Sequence, residues 1–430
     1  MTLKRLFLYF FVFVFTQSFY GQIDYKFHHN TDLPIPNYSF NNDSSYHSFQ
    51  ILQMPFLGLD FQTYSNPSLH NFLTESNNQY VINLNDYKES FHTTANHLLD
   101  IKNMFFYFSQ KKDYTIKSYG FMHRLFGEFS LSNELIALIV DGNYPHLNQT
   151  INLNHNYARL YNYFALFYGQ ANRINDQSLF AFKLKFLKGF LSFGFDTRDF
   201  NILVSDNFET EENPFSSTLN TDLSYFMNSD YSILSNLGLA VDLEFQHQLS
   251  DKLNLYTQIS DLGFISWRED QYTSQGSFNF DGIHYALDED IVTEFNNIYD
   301  TIVDIFNMRE NNNVKSINLL PFEIDCGVNF DSHLSAEFFI NYNLKKLYNS
   351  FLHTGSISYL YYFNTIELSI ISNYSFNQFN YTNFTFFLHK KWNNMFHTNM
   401  YVKNILGFFN NYDFGVGQGG GVGCELLLSF

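Results

Sequence analysis

Nowhere in its 430 residues does the chain carry the run of about 20 apolar residues that a membrane-crossing helix needs. That excludes a multi-helix membrane protein. Cysteine is scarce: Cys326 and Cys424 are too few for a disulfide framework. Both fall on the apolar face of a strand pattern, so they read as small hydrophobes and not as metal or redox groups. Cations are outnumbered. With 24 Lys+Arg against 42 Asp+Glu the net charge is −18, the wrong sign for nucleic-acid phosphates. No dinucleotide fingerprint, phosphate loop or zinc spacing occurs, and no GxSxG or similar context marks a serine nucleophile. The glycines of Gly415–Gly423 lead into a strand, so no helix dipole is there to hold a phosphate. The expectation is a protein without cofactor or metal, and not an enzyme.

What the chain has in excess is aromatic rings, 20% of all residues, with 53 Phe and 31 Tyr against 2 Trp. Charged residues are only 15%. A soluble core would struggle to bury that many rings, whereas a β-barrel can turn them outward into lipid and toward both interfaces. The last twelve residues, Gly419 to Phe430, show the pattern in miniature. Val422, Cys424, Leu426, Leu428 and Phe430 make one apolar face. Gly421, Gly423, Glu425 and Ser429 make a small or polar one, with Leu427 the exception. Leu426, Leu428 and the terminal Phe430 resemble the C-terminal signal of bacterial outer-membrane barrels. The match is partial, because the glycine usual five residues before the end is Glu425 here.

Lys4 and Arg5 precede the apolar stretch Leu6–Phe15, and small or polar residues follow (Thr16, Ser18, Gly21), the layout of a secretory signal peptide. We therefore divide the chain into a signal at 1–21, a polar leader at 22–48 and a barrel at 49–430. Phe49–Pro67 reads as a first strand. A short helix is expected near His92–Ile101. Strands are expected at Met104–Gln110, Tyr114–Phe129, Leu160–Gly169, Leu179–Leu187 and Phe190–Thr197. In Leu179–Leu187 the outward set is Phe180, Phe182, Leu184 and Phe186, and the inward set is Leu179, Ala181, Lys183 and Lys185. Ser132–Asp141 reads as a helix capped by Ser132 and ended by Gly142.

Asp206–Asp230 is acidic and irregular, as in an exposed loop. A hairpin follows. Leu237, Leu239, Val241, Leu243 and Phe245 alternate with Gly238, Ala240, Asp242, Glu244 and Gln246, and a turn at Leu249–Lys252 leads into Leu253–Ser260. Residues 261–320 read as a long helical loop or plug, with an amphipathic helix at about Asp288–Met308. The last third is a meander: Phe322–Phe330, Leu334–Leu344, Leu352–Tyr362, Ile366–Tyr374, Thr382–Lys390, Thr398–Gly407 and Gly419–Phe430. Placing the C-terminus in the periplasm puts the connections at Asp331–His333, Phe363–Thr365 and Lys391–His397 on that side. The fold expected is all-β: a closed antiparallel transmembrane β-barrel of about 14 strands with one or two short luminal or loop helices. Inward carboxylates that would line its lumen are Asp242, Glu244, Glu323, Asp325, Glu337, Glu367 and Glu425. They would wet the interior, grip a plug, or discourage anionic solutes.

Three stretches carry a family resemblance: Met54–Leu69 (MPFLGLDFQTYSNPSL), Phe129-Ser-Leu-Ser with Asp141-Gly142-Asn143, and Asp261-Leu262-Gly263-Phe264-Ile265. They resemble an uncharacterised group of Gram-negative outer-membrane barrels, a domain of unknown function, similar in architecture to long-chain fatty-acid transporter-type barrels. The resemblance spans roughly Gln50 to Phe430 and brings no reaction with it. It implies the outer membrane as location, and as partners its lipid, the barrel-assembly machinery during insertion and a hydrophobic ligand. Permeation or transport of small or hydrophobic compounds is the expected role. The alternatives are a non-transporting barrel serving an assembly or secretion system, and a surface esterase or phospholipase.

Overall fold

In hydrocarbon a backbone N–H or C=O finds no water, so a sheet that crosses a membrane must return on itself. This one does. The computed structural model describes residues 46–51, 62–66, 73–76, 79–92, 94–112, 115–142, 144–206, 215–250, 252–280, 309–331, 336–363, 368–377, 382–392, 396–403 and 421–429. The signal peptide, the leader up to residue 45, the helix expected at Asp288–Met308, Glu367 and Phe430 lie outside them, as do the side chains of Glu425, Leu426 and Leu428.

The strands are β1 (Tyr46–Ile51), β2 (Gln62–Asn66), β3 (Leu73–Ser76), β4 (Gln79–Ile82), β5 (Thr94–Lys112), β6 (Thr115–Ser132) and β7 (Thr150–Asn152). Then come β8 (Tyr157–Asn175), β9 (Ser178–Asp206), β10 (Phe215–Asn228), β11 (Leu237–Ser250), β12 (Leu253–Phe280), β13 (Arg309–Leu319) and β14 (Glu323–Asp331). The chain closes with β15 (Ala336–Lys346), β16 (Phe351–Phe363), β17 (Leu368–Asn377), β18 (Thr382–Lys391), β19 (Phe396–Lys403) and β20 (Gly421–Ser429). Helix α1 is Leu84–Glu89 and α2 is Asn133–Asp141.

All but the β3–β4 hairpin belong to one sheet of 18 segments. β1 pairs with β5 on one side and with β20 on the other, Phe49 opposite Leu428, which closes the ring. Four wall positions are shared by two segments each (β1/β2, β7/β8, β10/β11, β13/β14), so the antiparallel barrel has 14 positions. No described helix is long and apolar enough to cross a membrane. The segments from β14 to β20 run 8 to 13 residues, close to the 9–11 that one tilted crossing takes. β9 and β12, at 29 and 28 residues, run on well past it.

Strand parity decides what each side chain meets. In β9, Leu184 is 54% exposed and Phe186 50%, whereas Lys183, Lys185 and Leu187 are buried. In β11, Leu239 and Phe245 are exposed, and Ala240, Asp242, Glu244 and Gln246 are buried. Apolar groups face outward and the polar set faces in, as a lipid-bounded wall requires. Cys326 is exposed on the outer face.

In β12 that parity changes midway. Leu255 faces out, yet beyond Asp261 it is Leu262 and Phe264 that face out, while Ile265 and Trp267 are buried. Asp261 is an extra residue against β11, where the register shifts between Val241 and Leu243, and it takes a left-handed φ of 60°. A β-bulge of this kind turns one side chain inward and flips the alternation of all that follow. The long excursion expected to begin at Asp261 therefore begins later: β12 continues to Phe280, and β13 returns from Arg309. Close strand approach accompanies the bulge, since a Cβ on Gly263 would meet the Leu239 carbonyl oxygen at 2.2 Å.

Two other expectations are corrected. His92–Ile101 is not helical; β5 starts at Thr94, and the helix lies upstream as α1, capped by Asn83. Within Asp206–Asp230, residues Phe215–Asn228 form β10 against β9 and β12. Helix α2 is as expected, with Ser132 Oγ accepting from the Leu135 N–H at 3.2 Å and Gly142 at φ 72°. It packs Ile136 against Tyr87, Phe91 and Ala95, at the end of the barrel away from the two-residue β5–β6, β8–β9 and β11–β12 turns. Burial there pushes the Tyr87 hydroxyl up to about 12; it sits 2.6 Å from His97 Nε2.

If the outward face meets hydrocarbon, Leu184→Arg should lower the unfolding free energy by about 2–4 kcal/mol near the midplane. Urea titration of the refolded barrel in lipid vesicles measures this, and a change below ~0.5 kcal/mol would contradict the lipid-facing assignment.

Candidate functional site

A buried cation persists only where carboxylates and hydrogen bonds replace its water. Arg124, inward on β6, has a fully buried side chain. Its Nε and Nη2 donate to the two carboxylate oxygens of Asp100 at 2.9 and 2.7 Å, a bidentate fork. Nη1 donates to Asp261 Oδ2 at 2.6 Å and to the Pro321 carbonyl at 3.1 Å, and Nη2 to Glu323 Oε1 at 3.3 Å. Lys345 on β15 bonds the same Asp100 at 2.7 Å and Glu323 at 3.3 Å. Lys185 joins Asp261 at 2.5 Å to Asp242 at 2.7 Å, and Lys183 lies 3.4 Å from Asp242. The Asp261 N–H donates to Asp242 Oδ1 at 2.8 Å.

Arg124, Lys183, Lys185 and Lys345 stand against Asp100, Asp242, Asp261 and Glu323, so the cluster is neutral. It ties β5 and β6 to β9, β11, β12, β14 and β15, that is, across the interior. Two irregularities make it fit. The bulge aims Asp261 inward, and the break at Leu320-Pro321-Phe322 between β13 and β14 offers the Pro321 carbonyl. Apolar side chains close the space beside it: Trp267, Tyr161, Tyr163, Phe126, Ile265 and Leu187 belong to one buried cluster. Trp267 lies so tightly on β9 that a Cβ at Gly189 would meet its ring at 2.3 Å. At this level side chains of β5 and β6 are bridged to those of β9, β11, β12, β14 and β15 across the interior.

Toward the α2 end the interior opens into a cavity of about 620 Å³. Its floor and one side are Leu98, Leu347 and Leu352; the rest is Asn96, His97, Glu128, Ser130, His155, Tyr157, Asn349 and Ser350. The turn between β15 and β16, residues 347–350, leans over it and is fastened to the opposite wall. The Tyr348 N–H donates to Glu128 Oε2 at 2.7 Å and its hydroxyl to Asp196 at 3.1 Å. The Arg159 guanidinium covers its ring at 3.9 Å. Tyr157 donates to the other Glu128 oxygen at 2.5 Å.

Of the carboxylates expected inside, Asp242 and Glu323 enter the ion-pair cluster. Glu244, Asp325 and Glu337 are buried elsewhere on the inner face and accept from amides: Gln246 at 2.5 Å, Asn343 at 2.6 Å and Asn329 at 3.0 Å. The alternation of the sequence does not mark Arg124, Asp100 or Lys345 as site residues, and Asp261 enters it only within a family-like stretch. A lone arginine in the apolar run Met122–Phe126 was the available signal. Among the described residues no group of three or more His, Cys, Asp or Glu is placed to hold a metal. Ser178 Oγ lies 2.9 Å from His247 Nδ1, but among the described residues no acid or amide is bonded to that histidine's other nitrogen.

A family model described as a family of unknown function (DUF5723) matches residues 22–418. The chain belongs to that family. No curated protein matches it. Among solved structures it is similar to a Pseudomonas putida toluene transporter, TodX, at 9% identity and a TM-score of 0.39, over 89% of this chain and 88% of that one. It is also similar to the CymD monoaromatic hydrocarbon channel (8%, TM-score 0.39, 91% and 88%). A Pseudomonas aeruginosa FadL homologue is a third (9%, TM-score 0.37, 90% and 87%). At that distance the likeness says nothing of a solute.

Arg124→Met should destabilise the barrel by about 3–5 kcal/mol, because it removes the buried counter-charge that Asp100, Asp261 and Glu323 share and leaves them only Lys185 and Lys345. Adding Asp261→Asn should restore part of that loss, as coupled neighbours are not additive. Chemical unfolding of the two variants in detergent micelles checks both statements.

Proposed function

We propose that the protein is an outer-membrane transport barrel for small compounds with apolar character, taken up at the α2 end. The observation that carries the reading is the combination of a walled cavity at that end with an ion-pair cluster that bridges the interior below it. An open diffusion pore needs a continuous wet channel, and a purely structural barrel needs no cavity beneath a fastened turn. Passage in this reading is selective: a solute first occupies the cavity and crosses only when the Arg124 cluster rearranges. The short-turn end, which the C-terminus shares, then faces the periplasm. The buried acids on the inner face favour solutes that are not anions.

Proteoliposomes holding the purified barrel should take up a labelled small aromatic or aliphatic compound faster than empty vesicles, while planar bilayers show no steady ion conductance. Replacing Arg124 and Lys345 together by serine should open such a conductance. Uptake no faster than in empty vesicles would remove the reading.

A further inference from the structure

The cavity has a chemistry that selects among amphiphiles, an inference that rests on the transport reading but concerns which molecules the site accepts. Its volume, about 620 Å³, suits a small molecule. Leu98, Leu347 and Leu352 can cover an apolar tail. Asn96, Ser130, Asn349 and Ser350 offer amides and hydroxyls, which both donate and accept.

Among the described residues the lining contains no lysine or arginine. Arg159, the cross-strand partner of Glu128, is engaged elsewhere. Its Nη1 donates to the Ala158 and Phe195 carbonyls at 2.8 Å each, Nη2 lies 3.3 Å from Asp196, and its plane covers Tyr348. Lys346 bonds the Tyr348 carbonyl at 3.3 Å and lies over the Phe351 ring. The carboxylate of Glu128, with both oxygens bonded to Tyr157 and Tyr348, stands in the cavity wall. Among the described residues an anionic head group would lose its water there with only His97 and His155 as groups able to take a positive charge, and would face the Glu128 carboxylate.

We propose that this cavity binds uncharged amphiphiles whose heads carry hydroxyl or amide groups, and discriminates against free carboxylates of the same chain length. A short alkyl glycoside is such a ligand; the matching fatty acid is not.

The full-length barrel in lipid nanodiscs, with partition into empty discs subtracted, should bind n-octyl glucoside at least tenfold more tightly than octanoate in equilibrium dialysis. Glu128→Gln should narrow that gap. Ser130→Trp and Ser350→Trp, which fill the cavity, should each weaken glucoside binding tenfold or more. Heat-modifiable gel migration confirms folding, and Ser350 lies on the turn outside the strands, so that variant serves if the other does not fold. Octanoate bound as tightly as the glucoside, or glucoside binding unmoved by Ser350→Trp, would overturn the proposal. Proteoliposome uptake separates it from the transport reading. Uptake without this selectivity defeats only the present inference, whereas selective binding without uptake defeats only transport.

Discussion

Every peptide group in a hydrocarbon slab must find a partner within the protein, and this molecule meets that demand by joining its last strand to its first. The β1–β20 pairing is short, Ser48 opposite Ser429 and Phe49 opposite Leu428, and it joins the two ends of the sheet. Closure also divides all wall side chains into two populations with opposite solvents. Leu184 beside Lys185, and Leu239 beside Ala240 and Asp242, make sense only as neighbours on opposite sides of one wall.

Closure raises a second problem, because a ring of 14 positions encloses more space than one layer of inward side chains fills on a regular wall. Here the wall is made irregular where the space must be closed. The Asp261 bulge and the Leu320–Phe322 break bring β12 and β14 within reach of Arg124 on β6, while Trp267 packs tightly on Gly189 two positions along the wall. A neutral ion-pair cluster and an apolar cluster then share the cross-section. The charged part rests on mutual satisfaction: Asp100 serves both Arg124 and Lys345, and Asp261 serves both Arg124 and Lys185. Every ion but Lys183 thus has more than one partner, which offsets the desolvation that makes isolated buried pairs poor stabilisers.

Much of the wall was legible from residue order, and for a physical reason. Where the two solvents alternate strictly, as in Leu179–Leu187 and Leu237–Gln246, period two is unmistakable, and inward Lys183, Lys185, Asp242 and Glu244 follow from it. Legibility failed where strands leave the two-solvent regime. Beyond Asp261 the bulge reverses parity and the outer face turns polar at Arg268, so a continuing strand resembled a loop. β10 stands next to an acidic stretch and was absorbed into it. In β5, His97, Leu98, Leu99 and Ile101 crowd both faces with apolar groups, because one packs inside and the other outside, and the density imitates a helix. The site was half legible. Asp242, Glu323, Lys183 and Lys185 follow from parity, but Arg124, Asp100, Asp261 and Lys345 gain their meaning only when strands far apart in sequence are brought face to face.

That distance along the chain has a consequence for how the barrel comes into being. Arg124 meets Asp100 24 residues away, but Asp261 and Glu323 are 137 and 199 residues off, and Lys345 reaches Asp100 across 245. A half-built sheet holding only β5 to β9 therefore carries a guanidinium and two ammonium groups that must stay hydrated. Water can leave the interior only once the later strands arrive with their counter-charges. The lock registers completion: a chain cut short before β14 keeps a wet centre and does not settle into the finished state.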